Sequence, residues 1–106
     1  MTQDFDLRTI LTVTTGINCV DDVSKVYELA WFVYDNDKMN NDELNARLGE
    51  LKGHLLTLYP SLKDVTYNPQ VETSFYSWLL DQLLEYGETL PVSKLGESLK
   101  KSTPTI

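Results

Sequence analysis

Two side chains in this sequence could take part in catalysis: one histidine and one cysteine. His54 is the only histidine, so any Ser-His-Asp or Cys-His arrangement would have to use it. General acid or base catalysis also needs a partner held at hydrogen-bond distance, and the sequence identifies none. His54 falls at the edge of a leucine stripe, which favours a position at the surface or at the boundary of the core.

Cys19 is the only cysteine, so it can form neither an intrachain disulfide nor a cysteine-based zinc site. It comes just before a predicted helix, whose dipole could lower the pKa of the thiol. The neighbouring Asp21 and Asp22 would oppose that shift, and a buried structural cysteine is the favoured interpretation. The absence of a disulfide is typical of a reducing cytosol. Neither Cys19 nor His54 indicates an enzyme.

The run that begins at Asp35 is rich in oxygen ligands, as a calcium-binding loop would be. Such a loop needs acids or amides at positions one, three and five, and glycine at position six. Asp37 fits position three, but Met39 occupies position five and Asn40 occupies position six. We therefore predict no metal site and interpret the run as a solvated turn. The glycines follow no phosphate-binding pattern either, so no cofactor is predicted.

Hydrophobic periodicity predicts three main helices, over about residues 20–36, 41–59 and 69–86. The segment from Val20 to Asp35 places its apolar side chains on an arc too wide for one neighbour to cover. We therefore predict that it forms the centre of the domain, with the other two helices on its flanks. The second helix starts at Asn40 or Asn41, and Asn40 has capping-box spacing with Glu43. Asn68-Pro69 is a start signal for the third helix. Gly87 is a candidate left-handed cap at its end.

Shorter elements complete the predicted fold. Asp4 or Asp6 caps a short N-terminal helix, and residues 12–16 are either the end of that helix or an extended turn. Residues 88–92 form an extended C-terminal strap. The prediction is an all-α fold: a compact bundle of three main helices with a short N-terminal helix and this strap. Residues 1–92 form a single helical domain, and residues 93–106 form a marginal helix and a flexible tail.

The charge of the chain limits its partners. Sixteen acidic and nine basic residues give a net charge of −7, and most of the excess lies before residue 38. A negative surface repels nucleic acid and anionic lipid, and no apolar run is long enough to span a bilayer. We therefore predict a cytoplasmic protein that binds neither nucleic acid directly nor membranes, and whose partner is a protein with a basic surface.

The candidate partner-binding residues lie on or beside the polar side of the predicted central helix. Phe32 projects among acidic residues there, where an aromatic side chain is out of place. Either another segment, such as the strap, covers it, or it is exposed and anchors an interface. The predicted partner-binding set is Asp21, Glu28, Phe32, Asp35 and Asp37.

A second edge of the 41–59 helix carries three small residues, Ala46, Gly49 and Gly53. Each glycine costs about 1 kcal/mol relative to alanine inside a helix, so the pair indicates close approach of another backbone. That backbone belongs either to an adjacent helix or to a second copy of the chain. In the second case the three residues form an oligomer interface.

Several blocks of the sequence resemble, in order and spacing, a family of small phage and prophage proteins of uncharacterised function. The blocks are Leu11 to Gly16, Val26 to Leu29, Leu55-Leu56, Tyr59 to Leu62, Trp78-Leu79 and Tyr86 to Val92. The chain departs from the family at residues 17–19, where members carry a basic residue and two leucines, and at Asn40-Asn41, where members carry Thr-His. The resemblance implies a phage or prophage setting inside a bacterial cell and brings no catalytic residues or cofactor.

Two functions follow from these observations. The first is a small acidic interaction protein, phage-encoded and non-enzymatic, that binds and inhibits a host anti-phage defence complex by occupying a basic nucleic-acid groove. The second is a homo-oligomeric accessory protein for phage assembly or replication, indicated by the small-residue edge. An enzyme is disfavoured, because no nucleophile or metal-ligand arrangement accompanies the single histidine.

Overall fold

The computed structural model of the chain describes residues 2–72 and 74–95, which contain four α-helices, one 3-10 helix and two strands. In chain order these are β1 (Thr2–Asp6), α1 (Leu7–Thr15), α2 (Ser24–Tyr34), α3 (Asn41–Leu58), the 3-10 helix (Pro60–Asp64), α4 (Phe75–Tyr86) and β2 (Thr89–Ser93). From residue 96 onward, the predicted marginal helix and tail lie outside the described residues.

The two strands form an antiparallel sheet, so the predicted all-α fold is wrong. Pairing runs from Thr2 opposite Ser93 to Asp6 opposite Thr89. β2 occupies the predicted strap, and β1 occupies residues that include the predicted start of the first helix. The prediction failed because each strand is stabilised by hydrogen bonds to the other. The two strands lie at opposite ends of the described chain, so local sequence does not reveal the pairing. Pro91 has no N–H to donate. It is tolerated in β2 because one edge of each strand in a two-stranded sheet is unpaired, and no donor is needed on that edge.

The centre of the fold is α1, which replaces the predicted central segment over 20–36. α1 follows directly from β1 and packs against α2, α3 and α4. Six of its nine residues are buried, compared with four of eleven in α2, and Leu7, Ile10 and Leu11 have no exposed surface. The prediction chose α2 for its wide apolar arc, but Val20 and Val23 precede the helix, and Val23 is exposed.

Local capping signals explain where the first and third helices begin. The Asp6 carboxylate accepts a hydrogen bond from the backbone N–H of Arg8 at the start of α1. Gly16 ends α1 with a φ of +77°, so residues 12–15 belong to the helix. The Asn40 side chain accepts from the N–H of Glu43 at 2.9 Å, which confirms the predicted cap of α3.

The last helix begins later than predicted, at Phe75 instead of residue 69. The Asn68 carbonyl accepts hydrogen bonds from the N–H groups of Val71 and Glu72, so the Asn-Pro pair makes a turn. The Ser74 hydroxyl then caps α4. The prediction failed here because an asparagine followed by proline can begin either a helix or an isolated turn.

Gly87 carries the chain from α4 into β2. Its φ of +92° and ψ of 173° lie outside the left-handed helical region, so the predicted left-handed cap is wrong. This combination of angles is essentially confined to glycine. The Gly87 N–H still donates to the Leu83 carbonyl at 2.8 Å, which completes the last turn of α4 before the chain extends.

Candidate functional site

The histidine belongs to the core of the protein. His54 lies on α3 and is buried, with its Nε2 atom 2.7 Å from the carbonyl oxygen of Ser93 on β2. A carbonyl oxygen can only accept, so Nε2 carries the proton and donates it. The predicted position at the surface or boundary is wrong, because β2 joins the sheet and reaches the ring. His54 therefore links α3 to the sheet.

Cys19 is buried, as the sequence analysis favoured. Burial raises the pKa of its thiol, while the hydrogen bond with Thr12 and the charge of Arg8 act in the opposite direction. The Sγ atom donates to the Ile17 carbonyl oxygen at 3.3 Å. A buried thiol with a raised pKa stays protonated at neutral pH and is a poor nucleophile.

The oxygen-rich run after Asp35 forms a helix end and a turn. Asp35 itself has a left-handed φ of 54°, and the Asn36 side chain accepts from the N–H of Lys38 at 3.1 Å. Across residues 2–72 and 74–95, no group of three or more His, Cys, Asp or Glu side chains is arranged to hold a metal ion. In the same part of the chain, no helix has the length and apolarity needed to cross a bilayer.

Two other segments, β1 and the residue that follows β2, cover the ring of Phe32, which is half-buried. The ring of Phe5, on β1, lies 5.5 Å away between centroids, and the Lys94 Nζ atom lies 5.3 Å from the centre of the Phe32 ring. The same ammonium group donates to Asp35 Oδ1 at 2.9 Å. Of the two interpretations of Phe32, the structure supports coverage by another segment. Lys94 thus connects two of the predicted partner-binding residues.

The other three predicted partner-binding residues, Asp21, Glu28 and Asp37, are exposed. The fold places two of them beside different elements. Asp21 lines a cavity of about 210 Å³ together with Arg8 and with Tyr76 of α4. Glu28 lines another cavity beside the acidic residues of β1. The predicted set therefore has an acidic side chain beside α4, at Asp21, and another beside β1, at Glu28.

The small-residue edge of α3 has no close contact with another part of the described chain. Ala46, Gly49 and Gly53 are all exposed. A Cβ atom added at either glycine would meet nothing within 4 Å. Close approach of another part of the described chain therefore does not explain the glycines, and contact with a second copy stays a prediction.

An apolar groove of about 460 Å³ opens between α1, α2 and α3. Its volume lies in the range of small-molecule sites, about 300–1,000 Å³. Gly49 lines the groove, and Tyr27 at its wall donates a hydrogen bond to Asn41 Oδ1 at 2.6 Å. Of the lining residues that the structure describes, only Lys52 is charged. Its walls are therefore mainly apolar and uncharged in the described part of the chain.

The surface that sequence reasoning missed lies on α4. Tyr76, Leu80 and Leu84 are 80%, 55% and 77% exposed, and we call them the α4 stripe. At helical periodicity they fall on one broad apolar arc of the predicted 69–86 helix together with Trp78 and Leu79, which are buried. The fold covers only that part of the arc, since α1 and the segment before α4 pack on one side of the helix. The width of this arc is the signal in the sequence, because an arc wider than half the helix exceeds what a single packed side can cover.

Comparisons of the chain with protein-family models, with curated proteins and with solved structures found no match. The resemblance to phage proteins therefore depends on the residue blocks alone and stays a prediction. What the chain does is inferred from its own surfaces.

Proposed function

We propose that this chain is a non-enzymatic interaction protein that binds a protein with a basic surface. The observation that carries the proposal is the continuity of acidic groups between two elements: Glu28 of α2 lines one cavity with Asp4 and Asp6 of β1, where Lys25 is the single basic residue. The net charge of −7 gives this surface a long-range field. Such a field attracts cationic partners and speeds their association.

The state of the two reactive side chains supports binding over catalysis. The His54 ring is buried and donates to a backbone carbonyl. The Cys19 thiol is buried, and its raised pKa keeps it protonated. Neither group has the exposure that a nucleophile or a general base needs to reach a substrate.

We further propose that the protein is phage-encoded, acts in the cytoplasm of the bacterial host, and inhibits a defence complex. The phage-like sequence blocks support this setting. The acidic surface supports the mode of inhibition, because carboxylates can take the place of nucleic-acid phosphates in a basic groove. Binding of this kind weakens steeply as the salt concentration rises.

The test begins with purification of the tagged chain from phage-infected host cells, followed by identification of bound proteins by mass spectrometry. The dissociation constant is then measured with Asp21→Lys, Glu28→Lys and Asp37→Lys combined. We expect binding at least about tenfold weaker than wild type, because attraction becomes repulsion across the interface. The matched control reverses three exposed acids on other elements, Glu43, Glu50 and Asp64, for the same change in net charge.

The result that supports the proposal is a large loss in the first variant and a small loss in the control. Equal losses in both would show that only net charge matters and that this surface has no special role. Recovery of no basic partner from infected cells would overturn the proposed function itself.

A second candidate function is that of a homo-oligomeric assembly or replication accessory. The open space around Gly49 and Gly53 favours it, because two helix glycines that nothing in the described chain explains could face a second copy. Light scattering tests this function. A dimer that Gly53→Leu dissociates would support it, and a monomer at high concentration would count against it.

A further inference from the structure

We infer that the partner docks on α4, where a basic amphipathic helix of the partner packs against the α4 stripe. The inference rests on the proposed function, because it names the surface and the chemistry by which a basic partner is held. An exposed run of large apolar side chains at helical spacing is typical of a protein interaction site.

The three side chains of the α4 stripe lie on one face of the helix. They recur every four residues, so at about 100° per residue they fall within an arc of about 80°. A facing helix can fit its own apolar side chains between residues at this spacing. The arc continues on one side into Leu83, which is half-buried.

The opposite side of α4 holds the helix firmly in place. The Trp78 Nε1–H donates to the Thr66 carbonyl oxygen at 3.0 Å. The Tyr67 ring packs edge-on against both Trp78 and Phe75, with centroid distances of 5.4 Å in each case. The direction in which the α4 stripe faces is therefore fixed before any partner arrives, which reduces the entropic cost of binding.

The charged groups around the α4 stripe select the kind of partner. Asp81 and Glu85 are exposed and lie on the same helix, at the border away from α1. At the other border, the cavity beside Tyr76 contains Asp21 and Arg8.

A second cavity lies on that α1 side of α4, beside Leu83, and contains Asp6, Glu88 and the same Arg8. The two borders together thus contain five carboxylates and one guanidinium group. Lysine and arginine on the flanks of a partner helix would match these carboxylates.

The same charges argue against a second copy of this chain as the occupant. In one orientation of a two-fold dimer, Asp81 and Glu85 would face their own symmetry mates. In the other orientation they would face the border with Asp21, Asp6 and Glu88, which also carries a net negative charge. Like charges across an interface are unfavourable in either arrangement.

The α4 stripe also lies beside one acid of the predicted partner-binding set. Tyr76 at its N-terminal end shares a cavity with Asp21, one of the residues predicted to contact the partner. A helix seated on the α4 stripe would therefore lie beside Asp21. The apolar contacts would add affinity to the long-range attraction supplied by the acids.

The probe is a synthetic helical peptide with leucine at positions i, i+4 and i+7 and lysine at the flanking positions. One matched peptide carries glutamate in place of lysine, and another carries serine in place of leucine. Binding is measured by fluorescence anisotropy. The protein variants are Leu80→Gln with Leu84→Gln, and Val23→Gln as the control, since Val23 is an apolar side chain on another segment and is 64% exposed. Circular dichroism verifies that each variant keeps its helices.

We expect the lysine and leucine peptide to bind the wild-type protein, and to bind the double variant about tenfold more weakly, as the loss of central apolar contacts would cause. Val23→Gln should leave the dissociation constant unchanged. The serine peptide should bind far more weakly than the leucine peptide, and the glutamate peptide should not bind.

Three results would overturn the inference: no binding of the lysine and leucine peptide, equal binding by the double variant, or equal binding of the serine peptide. The proposed function would survive each of them if the natural partner still depends on Asp21, Glu28 and Asp37. A dimer in light scattering that Leu80→Gln with Leu84→Gln dissociates would also overturn the inference, because it would assign the α4 stripe to a second copy.

Discussion

The imidazole of His54 donates a hydrogen bond to the carbonyl oxygen of Ser93, with 2.7 Å between the two atoms. This contact joins α3 to the last residue of β2, so it couples the helices to the sheet.

Truncation of His54 should therefore destabilise the whole fold. We expect His54→Ala to lower the free energy of unfolding by about 2 to 3 kcal/mol, since it removes a buried hydrogen bond and leaves a cavity. His54→Leu keeps most of the volume and should cost about 1 kcal/mol. Urea unfolding measures both values, with Lys52→Ala on the exposed side of α3 as the control. Equal stability of His54→Ala and Lys52→Ala would contradict a structural role for the ring.

Of the two residues that cover Phe32, Phe5 should contribute far more to the stability of the fold than Lys94. Phe5→Ala removes a buried aromatic ring and should cost about 3 kcal/mol of stability. Lys94→Ala removes an ion pair with Asp35, whose side chain is 80% exposed, and a cation–π contact. We expect it to cost less than about 1 kcal/mol. Thermal unfolding of the two variants compares the effects, and a larger loss with Lys94→Ala would contradict this account.

Alanine substitution should have opposite effects at two kinds of glycine. Gly49→Ala and Gly53→Ala should each raise the free energy of unfolding by about 0.5 to 1 kcal/mol, because both sites are helical and an added Cβ meets no atom within 4 Å. Gly16→Ala has equal space, but its φ of +77° strains any L side chain. We expect it to destabilise the protein by about 1 kcal/mol. Urea unfolding decides the sign at each position.

The thiol of Cys19 should react slowly in the folded protein. Burial raises its pKa, so little thiolate is present at pH 8, and access of a reagent is restricted. We expect modification by a chromogenic disulfide reagent to be much slower in buffer than in concentrated urea. A rate in buffer equal to that of the unfolded chain would show that the segment around Cys19 opens readily.

Ionisation of Tyr34 and Tyr59 should lower the free energy of unfolding at alkaline pH. Burial raises the pKa of both phenols above the ordinary value of 10.0, and the charges of Glu50 beside Tyr34 and of Asp4 beside Tyr59 raise it further. As the pH rises, the unfolded chain therefore loses these protons first. The stabilisation is fully present below about pH 10 and is lost as the pH rises through the folded-state values.

The measurement is the urea midpoint between pH 7 and pH 11. Its fall above pH 10 should become shallower when both tyrosines are replaced by phenylalanine. An unchanged slope in that double variant would assign the alkaline loss to other groups.

The α3 helix was predictable because its signals are local. The Asn40 cap and the leucine spacing of α3 lie within a few residues of the structure they specify, and Leu44, Leu51 and Leu55 are buried as that spacing requires. The sheet was not predictable in this way. β1 contains mostly exposed polar side chains around a buried Phe5, and only pairing with β2 makes it a strand.

The surfaces were predictable in composition but not in arrangement. The sequence indicated exposed acids, and Asp21, Glu28 and Asp37 are on the surface. The sequence could not show that Lys94 contacts Asp35 and Phe32. Those contacts depend on the position of Lys94 directly after β2, which the sheet determines. For α4, periodicity defined an apolar arc, but which part of the arc would be covered depends on the number of neighbouring elements.

The sheet also decides how the fold would respond to a pulling force. Thr2 is paired with Ser93, so the two outer ends of the ladder lie side by side. Force applied at Thr2 and Ser93 would separate the strands one residue pair at a time, beginning with this outer pair. Because His54 also holds the Ser93 carbonyl oxygen at this outer pair, α3 would bear part of the load from the start of the separation.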